Sequence, residues 1–423
     1  MELITLPNGL RIFLNPCENL RSAIVGVWIL SGSRYENDQN NGISHFIEHI
    51  VFKGSKKRSG FEIAESMDEI GAQVNAYTTK QYTFFYVKAL DYQLLKAADI
   101  LFDMITAPGL DSRDIETEKG VIIEEIAMCD DDPDDVCYEL NEAGIFSQST
   151  MAYEILGSRK TVSSFTAEDI REYMAEKYTP SRMVIGVSGS FEREEILSKA
   201  EEYFGKLPVS EAAEDFYTVP FNRGIYLKNM PTEQNHIIMC FPGVAVDSED
   251  LYPLHIATFV LGSGTSSMLN RRIREELGLV YSVEAWLGTY VGGGYSAVSM
   301  SLGDRGEERA IREAVKIIAD FPQKITQRQV DIAKEKVIAG LIMAGENPQS
   351  RFSSNGRTQL LLSKFTTDDE IIDAIKSITL EKVCEVSAKY LDMSLCSFTA
   401  VGKVKKEEEY RKIIESATKE EGN

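Results

Sequence analysis

Two of the chain's four histidines stand four residues apart in the stretch Gly42-Ile43-Ser44-His45-Phe46-Ile47-Glu48-His49-Ile50-Val51-Phe52-Lys53-Gly54. On an α-helix, residues i and i+4 lie one above the other, and i+3 sits beside them. His45 and His49 therefore present two imidazoles on one face, and Glu48 aims a carboxylate at the same spot. Imidazole nitrogen suits Zn2+, and a catalytic zinc takes three protein ligands and keeps a fourth position for water. An ion held in this way lowers the pKa of its water to about 7, and a neighbouring carboxylate takes the proton as a carbonyl is attacked. Amide hydrolysis is the simplest reaction for such a group. The plainer alternative is a pair of histidines on an ordinary helix.

A third ligand is needed. The remaining histidines, His236 and His255, lie in the second half of the chain. If all ligands are local, a carboxylate must complete the site. Residues Ser112 to Met128 have helical periodicity and carry Glu116, Glu118, Glu124 and Glu125, the last of them 76 residues after His49. Glu116 reads as a solvated acid.

The elements that must position these groups follow from composition and pattern. At 423 residues, the chain has room for two or three domains with their own cores. Its 43% hydrophobic and 26% charged content is that of a globular protein. A formal charge of −21 argues against nucleic-acid binding and against anionic membrane surfaces, and favours basic partners. Six cysteines with no Cys-x-x-Cys pair read as reduced thiols, which points to the cytoplasm. The apolar run Ala23 to Leu30 is too short to span a bilayer, and the first residues lack the basic start of a signal peptide.

In order, Asn8-Gly9 marks a two-residue hairpin between alternating segments. A strand over Ser22 to Leu30 precedes the histidine helix, which ends at a Gly54 cap. Phe61 to Ile70 is helical. Gln73 to Tyr77 and Tyr82 to Ala89 are strands, and Tyr92 to Met104 is a helix. The run Asp130-Asp-Asp-Pro-Asp-Asp135 reads as a solvated acidic turn, since it lacks the pattern of a calcium loop. Thr166 caps a helix to Tyr178, with Asp169 three residues on, and a strand follows over Met183 to Val187. Residues 206–224 carry two prolines without apolar period and are read as a linker between a metal-binding domain, 1–210, and a second domain, 225–423. Thr166, Glu168, Ile170, Glu172, Ala175 and Gly189 recur 213 positions later as Thr379, Glu381, Val383, Glu385, Ala388 and Gly402. That offset implies a duplicated α+β domain. The counterpart of the histidine helix, Asp250 to Leu261, holds only His255, so the second copy lacks the metal site.

Four segments carry a resemblance to a known family: His-Phe-Ile-Glu-His-Ile-Val-Phe-Lys-Gly (45–54), Gly-Ala-Gln-Val-Asn-Ala-Tyr-Thr (71–78), Glu-Lys-Gly-Val-Ile-Ile-Glu-Glu (118–125) and Ile-Arg-Glu-Glu-Leu-Gly-Leu-Val-Tyr-Ser-Val (273–283). The first is the inverted zinc-peptidase spacing. Together they resemble the M16 zinc metallopeptidases, over the full chain, and most nearly the short bacterial members similar to processing peptidases. The resemblance implies two domains, each a mainly antiparallel sheet with helices on one face. It implies zinc ligands His45, His49 and Glu125, with Glu124 the rival for the third place, and Glu48 as general base. It implies that Glu118 orients a ligand histidine, and that Asn75 and Ala76 lie on an edge strand to which an extended peptide adds. Arg274 and Tyr281 match the family's arginine and tyrosine, which donate hydrogen bonds to the substrate. Where many relatives carry Ser-Ser-Arg, this chain has Ser266-Ser267-Met268, and the glycine-rich loop of the non-catalytic subunit is reduced to Gly262-Ser-Gly264.

The expected activity is zinc-dependent endoproteolysis of unfolded peptides in a closed chamber made by two chains, either a homodimer or a pair with a related subunit. The rival expectations are a non-catalytic scaffold subunit and a zinc enzyme acting on a non-peptide amide.

Overall fold

Ser22–Ile29, the first long apolar run, forms a strand in which every residue after Ser22 is buried. A strand reads as continuously apolar when both faces of its sheet are covered, and that is its situation in the computed structural model, which describes residues 1–17, 19–210 and 218–419. Along the chain the elements run β1 (Glu2–Thr5), β2 (Arg11–Pro16), β3 (Ser22–Ile29), α1 (Ile43–Ile50), α2 (Gly60–Glu69), β4 (Gln73–Thr78), β5 (Thr83–Leu90), α3 (Leu94–Thr106), α4 (Ser112–Asp131), α5 (Pro133–Ile145), α6 (Arg159–Ser164), α7 (Ala167–Lys177), β6 (Met183–Gly189) and α8 (Arg193–Phe204). The second half continues with β7 (Ile225–Asn229), β8 (Asn235–Pro242), α9 (Leu251–Gly262), β9 (Ser282–Tyr290), β10 (Gly293–Leu302), α10 (Glu307–Lys324), α11 (Gln327–Gly345), α12 (Pro348–Leu362), α13 (Asp368–Ser377), α14 (Leu380–Tyr390), β11 (Ser397–Gly402) and α15 (Glu407–Lys419).

Two sheets result. The first has the order β1-β2-β6-β3-β5-β4 and the second β7-β11-β8-β10-β9. Apart from β1, the second repeats the first strand for strand. In each sheet one pair is parallel, β2 with β6 and β7 with β11, and the other pairs are antiparallel. The repeat seen at an offset of 213 maps α7–β6 onto α14–β11. Gly189 and Gly402, at the ends of the two strands, both take positive φ, +116° and +131°.

The chain divides into two compact units, and a single cut does not separate them. The first comprises residues 1–127, 153–215 and 344–366; the second comprises 128–152, 216–343 and 367–423. The linear partition at 206–224 therefore misplaces two segments, one carrying α5 and the other α12. The middle of that expected linker, 211–217, lies outside the described residues.

In the first unit, one face of the sheet packs against α1, α3, α4, α7 and α8 through Val25, Val27, Ile29, Phe46, Ile50, Leu101, Ile122 and Ile170, among others. The opposite face, which the sequence reading left uncovered, is closed by α12. There Trp28 stacks on Phe84 with ring centroids 4.1 Å apart, and Phe352 from α12 lies 4.8 Å from Trp28. Gly356 allows the approach, since a Cβ there would fall 2.2 Å from the Trp28 ring. The second unit uses the same device, with Gly144 of α5 set against Tyr226, where a Cβ would fall 2.3 Å from the ring.

Several local expectations need correction. Thr5 pairs with Arg11, so five residues, not two, connect β1 and β2. The Asn8 amide is drawn instead to the carbonyl of Phe204 at the end of α8, 2.8 Å away. The histidine helix ends at Ile50 and tightens into a 3-10 turn over Val51–Lys53; Gly54 follows at φ +150°, a conformation that suits glycine but is not the left-handed helical cap. The acidic run is not a free turn. It joins α4 to α5, with the Asp132 side chain capping the N–H of Asp134. No described helix is long and apolar enough to cross a membrane.

The seating of α12 can be tested directly. Gly356→Ala should cost about 1–3 kcal/mol by overpacking against Trp28. Gly340→Ala, in α11 with open space at its Cβ position, should be neutral or stabilising by roughly 0.5–1 kcal/mol. Urea unfolding of both variants measures the difference; equal stabilities would mean that α12 does not sit on Trp28.

Candidate metal centre

Helix α1 has only eight residues, too few to be stable alone. It is held by burying Ile43, Phe46, Ile47 and Ile50 in the first unit's core. That choice of apolar face turns His45 and His49 toward α4, where Ile115, Glu118, Ile122 and Ile126 form the buried stripe. Glu125 follows Glu118 by seven residues, two helical turns, and so shares its side of the helix. Glu124 points out and is exposed.

The three expected ligands converge. Oε2 of Glu125 lies 3.7 Å from Nε2 of His45 and 3.6 Å from Nε2 of His49. These separations exceed hydrogen-bond range. They lie close to the edges, about 3.3–3.6 Å, of a tetrahedron whose centre is 2.0–2.2 Å from each donor. One donor atom from each of His45, His49 and Glu125 lies within 4.8 Å of the others, and this is the sole such group of three among the described residues. The residues present thus fit a tetrahedral ion with two nitrogens and one oxygen.

The surroundings prepare each group differently. His45 is buried, and burial together with the nearby His49 pushes its pKa down to about 3, so it stays neutral, as a metal ligand must. His49 is half-buried. Burial also acts to lower its pKa, but the hydrogen bond with Glu118 and the charges of Glu125, Glu118 and Glu48 outweigh it and raise the pKa. The contact between Nδ1 of His49 and Oε1 of Glu118 is 3.0 Å, and it leaves Nε2 facing Glu125. Glu118 is itself only 2% exposed, and its other oxygen is 2.7 Å from Nζ of Lys53. Burial would raise the Glu118 pKa; His49 and Lys53 together bring it below the usual range.

Glu48 does not join the ligand triangle. Its Oε2 accepts a 2.6 Å hydrogen bond from the Thr78 hydroxyl at the end of β4. Burial lifts its pKa, and the Thr78 hydrogen bond offsets this only in part. β4 is the edge of its sheet, pairing only with β5. On it Asn75 is exposed and Ala76 half-buried, and the Asn75 side chain accepts from the N–H of Ala76. Arg274 and Tyr281 belong to the second unit. Arg274 sits in a π-type turn over Asn270–Glu276, and Tyr281 is 74% exposed just before β9.

Sequence reasoning missed two contributors. Lys53 stands four residues after His49, a helical spacing that could have revealed it. Thr78 comes from a strand 30 residues beyond Glu48, and no spacing rule reaches across that distance.

The N-terminal part, residues 12–159, matches the family model described as Insulinase (Peptidase family M16), and residues 164–337 match the Peptidase M16 inactive domain. A Bacillus subtilis protein described as the uncharacterized zinc protease YmxG is 36% identical over 380 residues, 90% of this chain and 93% of that protein. The chain belongs to the M16 family. An uncharacterized zinc protease of Streptomyces coelicolor, also similar, is 30% identical over 92% of this chain and 86% of its own length. Among solved structures, a peptidase M16 inactive domain from Pseudomonas fluorescens superposes with a TM-score of 0.88 at 15% identity, covering 96% of this chain and 98% of that one. A protease from Helicobacter pylori gives 0.85 at 18% identity, covering 95% and 98%. At such identities the structures establish the M16 fold alone.

The opposite pKa shifts of the two histidines give a prediction. In the metal-free protein, His49 should charge as pH falls through a value above that of an ordinary histidine, while His45 should charge only as pH approaches about 3. With four histidines in the chain, imidazole NMR can follow each ring. His45 titrating together with His49 would contradict this environment.

Proposed function

We propose that this M16 chain is a zinc-dependent endopeptidase acting on unfolded or extended peptides. One observation carries the reading: Oε2 of Glu125 stands 3.7 and 3.6 Å from Nε2 of His45 and of His49, separations that suit a shared ion, with Glu48 on the same helix as the two histidines. The similar zinc proteases support zinc as the ion. Zinc bound there supplies a Lewis acid that polarises the scissile carbonyl and acidifies a water.

The chain's own residues do the rest. His45, His49 and Glu125 hold the ion, and Glu118 keeps His49 in the tautomer that offers Nε2. Glu48, with its pKa raised by burial, takes a proton from the attacking water and returns it to the leaving amine. Thr78 holds that carboxylate by its Oε2. The free edge of β4 offers backbone N–H and C=O groups to an extended peptide, an attachment with little side-chain preference. We assign Arg274 and Tyr281 to hydrogen bonding with the substrate and the developing oxyanion. Two chains pairing into a chamber would restrict access to unfolded segments.

Glu48→Gln should keep stoichiometric zinc and lose about 10²–10⁴-fold in turnover. Glu125→Ala should lose zinc on dialysis, and Glu124→Ala should keep it. Metal analysis and a mixed-peptide assay decide both points. A Glu48→Gln variant cleaving at near parental rate would falsify the assignment of the base.

The paired-chain proposal has its own test. If Arg274 serves the partner's zinc site, inactive Glu48→Gln and Arg274→Ala chains, mixed and exchanged, should regain roughly a quarter of parental activity, since half the dimers are mixed and each has one complete site. No recovery despite exchange confirmed by mass would place both residues at one chain's own site.

A further inference from the structure

Helix α1 is capped at its start by Gly42, whose φ of +94° and close neighbours bar a capping side chain. A Cβ there would fall 2.6 Å from the carbonyl oxygen of Leu156 and 2.8 Å from the Cα of Gly157. The first N–H groups of a helix nevertheless need acceptors. Glu36, only 4% exposed, supplies them. Its Oε2 accepts from the N–H of Gly42 at 2.7 Å and the Asn41 amide at 3.0 Å, and its Oε1 accepts from the N–H of Ser44 at 2.9 Å. A carboxylate at this end also complements the helix dipole. The Ser44 hydroxyl is tied in turn to the Tyr173 hydroxyl at 2.9 Å.

His45 is the next residue, and its situation differs from that of His49. The His49 ring is fixed through Nδ1 by Glu118. Nδ1 of His45 is buried with no hydrogen-bond partner. No hydrogen bond at Nδ1 sets that ring's orientation, so its place follows from the packing around it and from the first turn of α1 that carries it. We infer that Glu36 is a positioning residue for the metal centre: by clamping the N–H groups of Gly42 and Ser44 it aims His45, as Glu118 aims His49 from the ring side.

This inference rests on the proposed metal binding, and one experiment separates the two. Zn2+ affinity would be measured by chelator competition on the full chain, with imidazole NMR on the metal-free protein. Glu36→Gln, which turns an amide NH2 toward the clamped N–H groups, should weaken Zn2+ about 10–100-fold, the range for groups that orient ligands. The His45 ring signals should shift or broaden while those of His49 stay in place. Thr367→Ala, which removes the cap of α13, should lower stability and leave Zn2+ affinity unchanged. If the parent chain binds no Zn2+, the proposed function fails. If the parent binds and Glu36→Gln binds within twofold of it, only the role of Glu36 fails. A loss accompanied by equal changes in both ring signals would also overturn that role. Should Glu36→Gln not fold, Glu36→Asp, which withdraws the acceptors by one methylene, is judged by the same outcomes.

Discussion

The candidate site in the first unit depends on holding one carboxylate oxygen, of Glu125, 3.6–3.7 Å from each of two imidazole nitrogens. At that spacing they make no hydrogen bonds to one another, and His45 is almost wholly removed from water. Polar groups in such a setting are unfavourable without compensation, so they stay in place only if stronger forces fix their backbones. The forces here are apolar. Four residues on one side of α1 and the buried stripe of α4 enter the same core, and the fully buried Phe46 alone contributes on the order of 1.5–3 kcal/mol by leaving water. The polar contacts to Glu118, Lys53 and Thr78 then choose orientation within a frame that packing has already set.

The second unit shows that the frame does not need the site. It repeats the strand order of the first, with its parallel pair and its glycine-ended strand, on a core of its own. In α9 the buried positions include Leu254, Ile256, Ala257, Val260 and Leu261, with Thr258 as the polar exception, and His255 faces outward. With no polar triangle to support, that helix is apolar on most sides. The repeated strand order thus forms around its own core both with the candidate metal group and without it.

Each unit also completes its sheet with a helix taken from the other half of the sequence, α12 for the first and α5 for the second. Both helices bring a glycine against an aromatic ring. A side chain at either glycine would push the helix off the sheet and leave large rings, Trp28 among them, partly uncovered. Close packing of this kind tolerates little change in volume.

The sequence by itself determined the metal helix, because i, i+3 and i+4 spacing fixes a shared face whatever the tertiary fold. It determined most elements by the same local rules: the Thr166–Asp169 capping box and the apolar β3 run both lie within reach of neighbouring residues, and the repeat at 213 residues shows in the matching of residue types alone. It left the choice between Glu124 and Glu125 to resemblance, since helical periodicity says that only one can face inward but not which. The tertiary structure decided what depends on distant chain segments. It alone turned Glu125 toward the histidines, brought Thr78 to Glu48, set Glu36 under the start of α1, and exchanged α5 and α12 between units. Those contacts join residues brought together by packing, and a pattern of neighbours along the chain carries no record of which remote surfaces will bury each other.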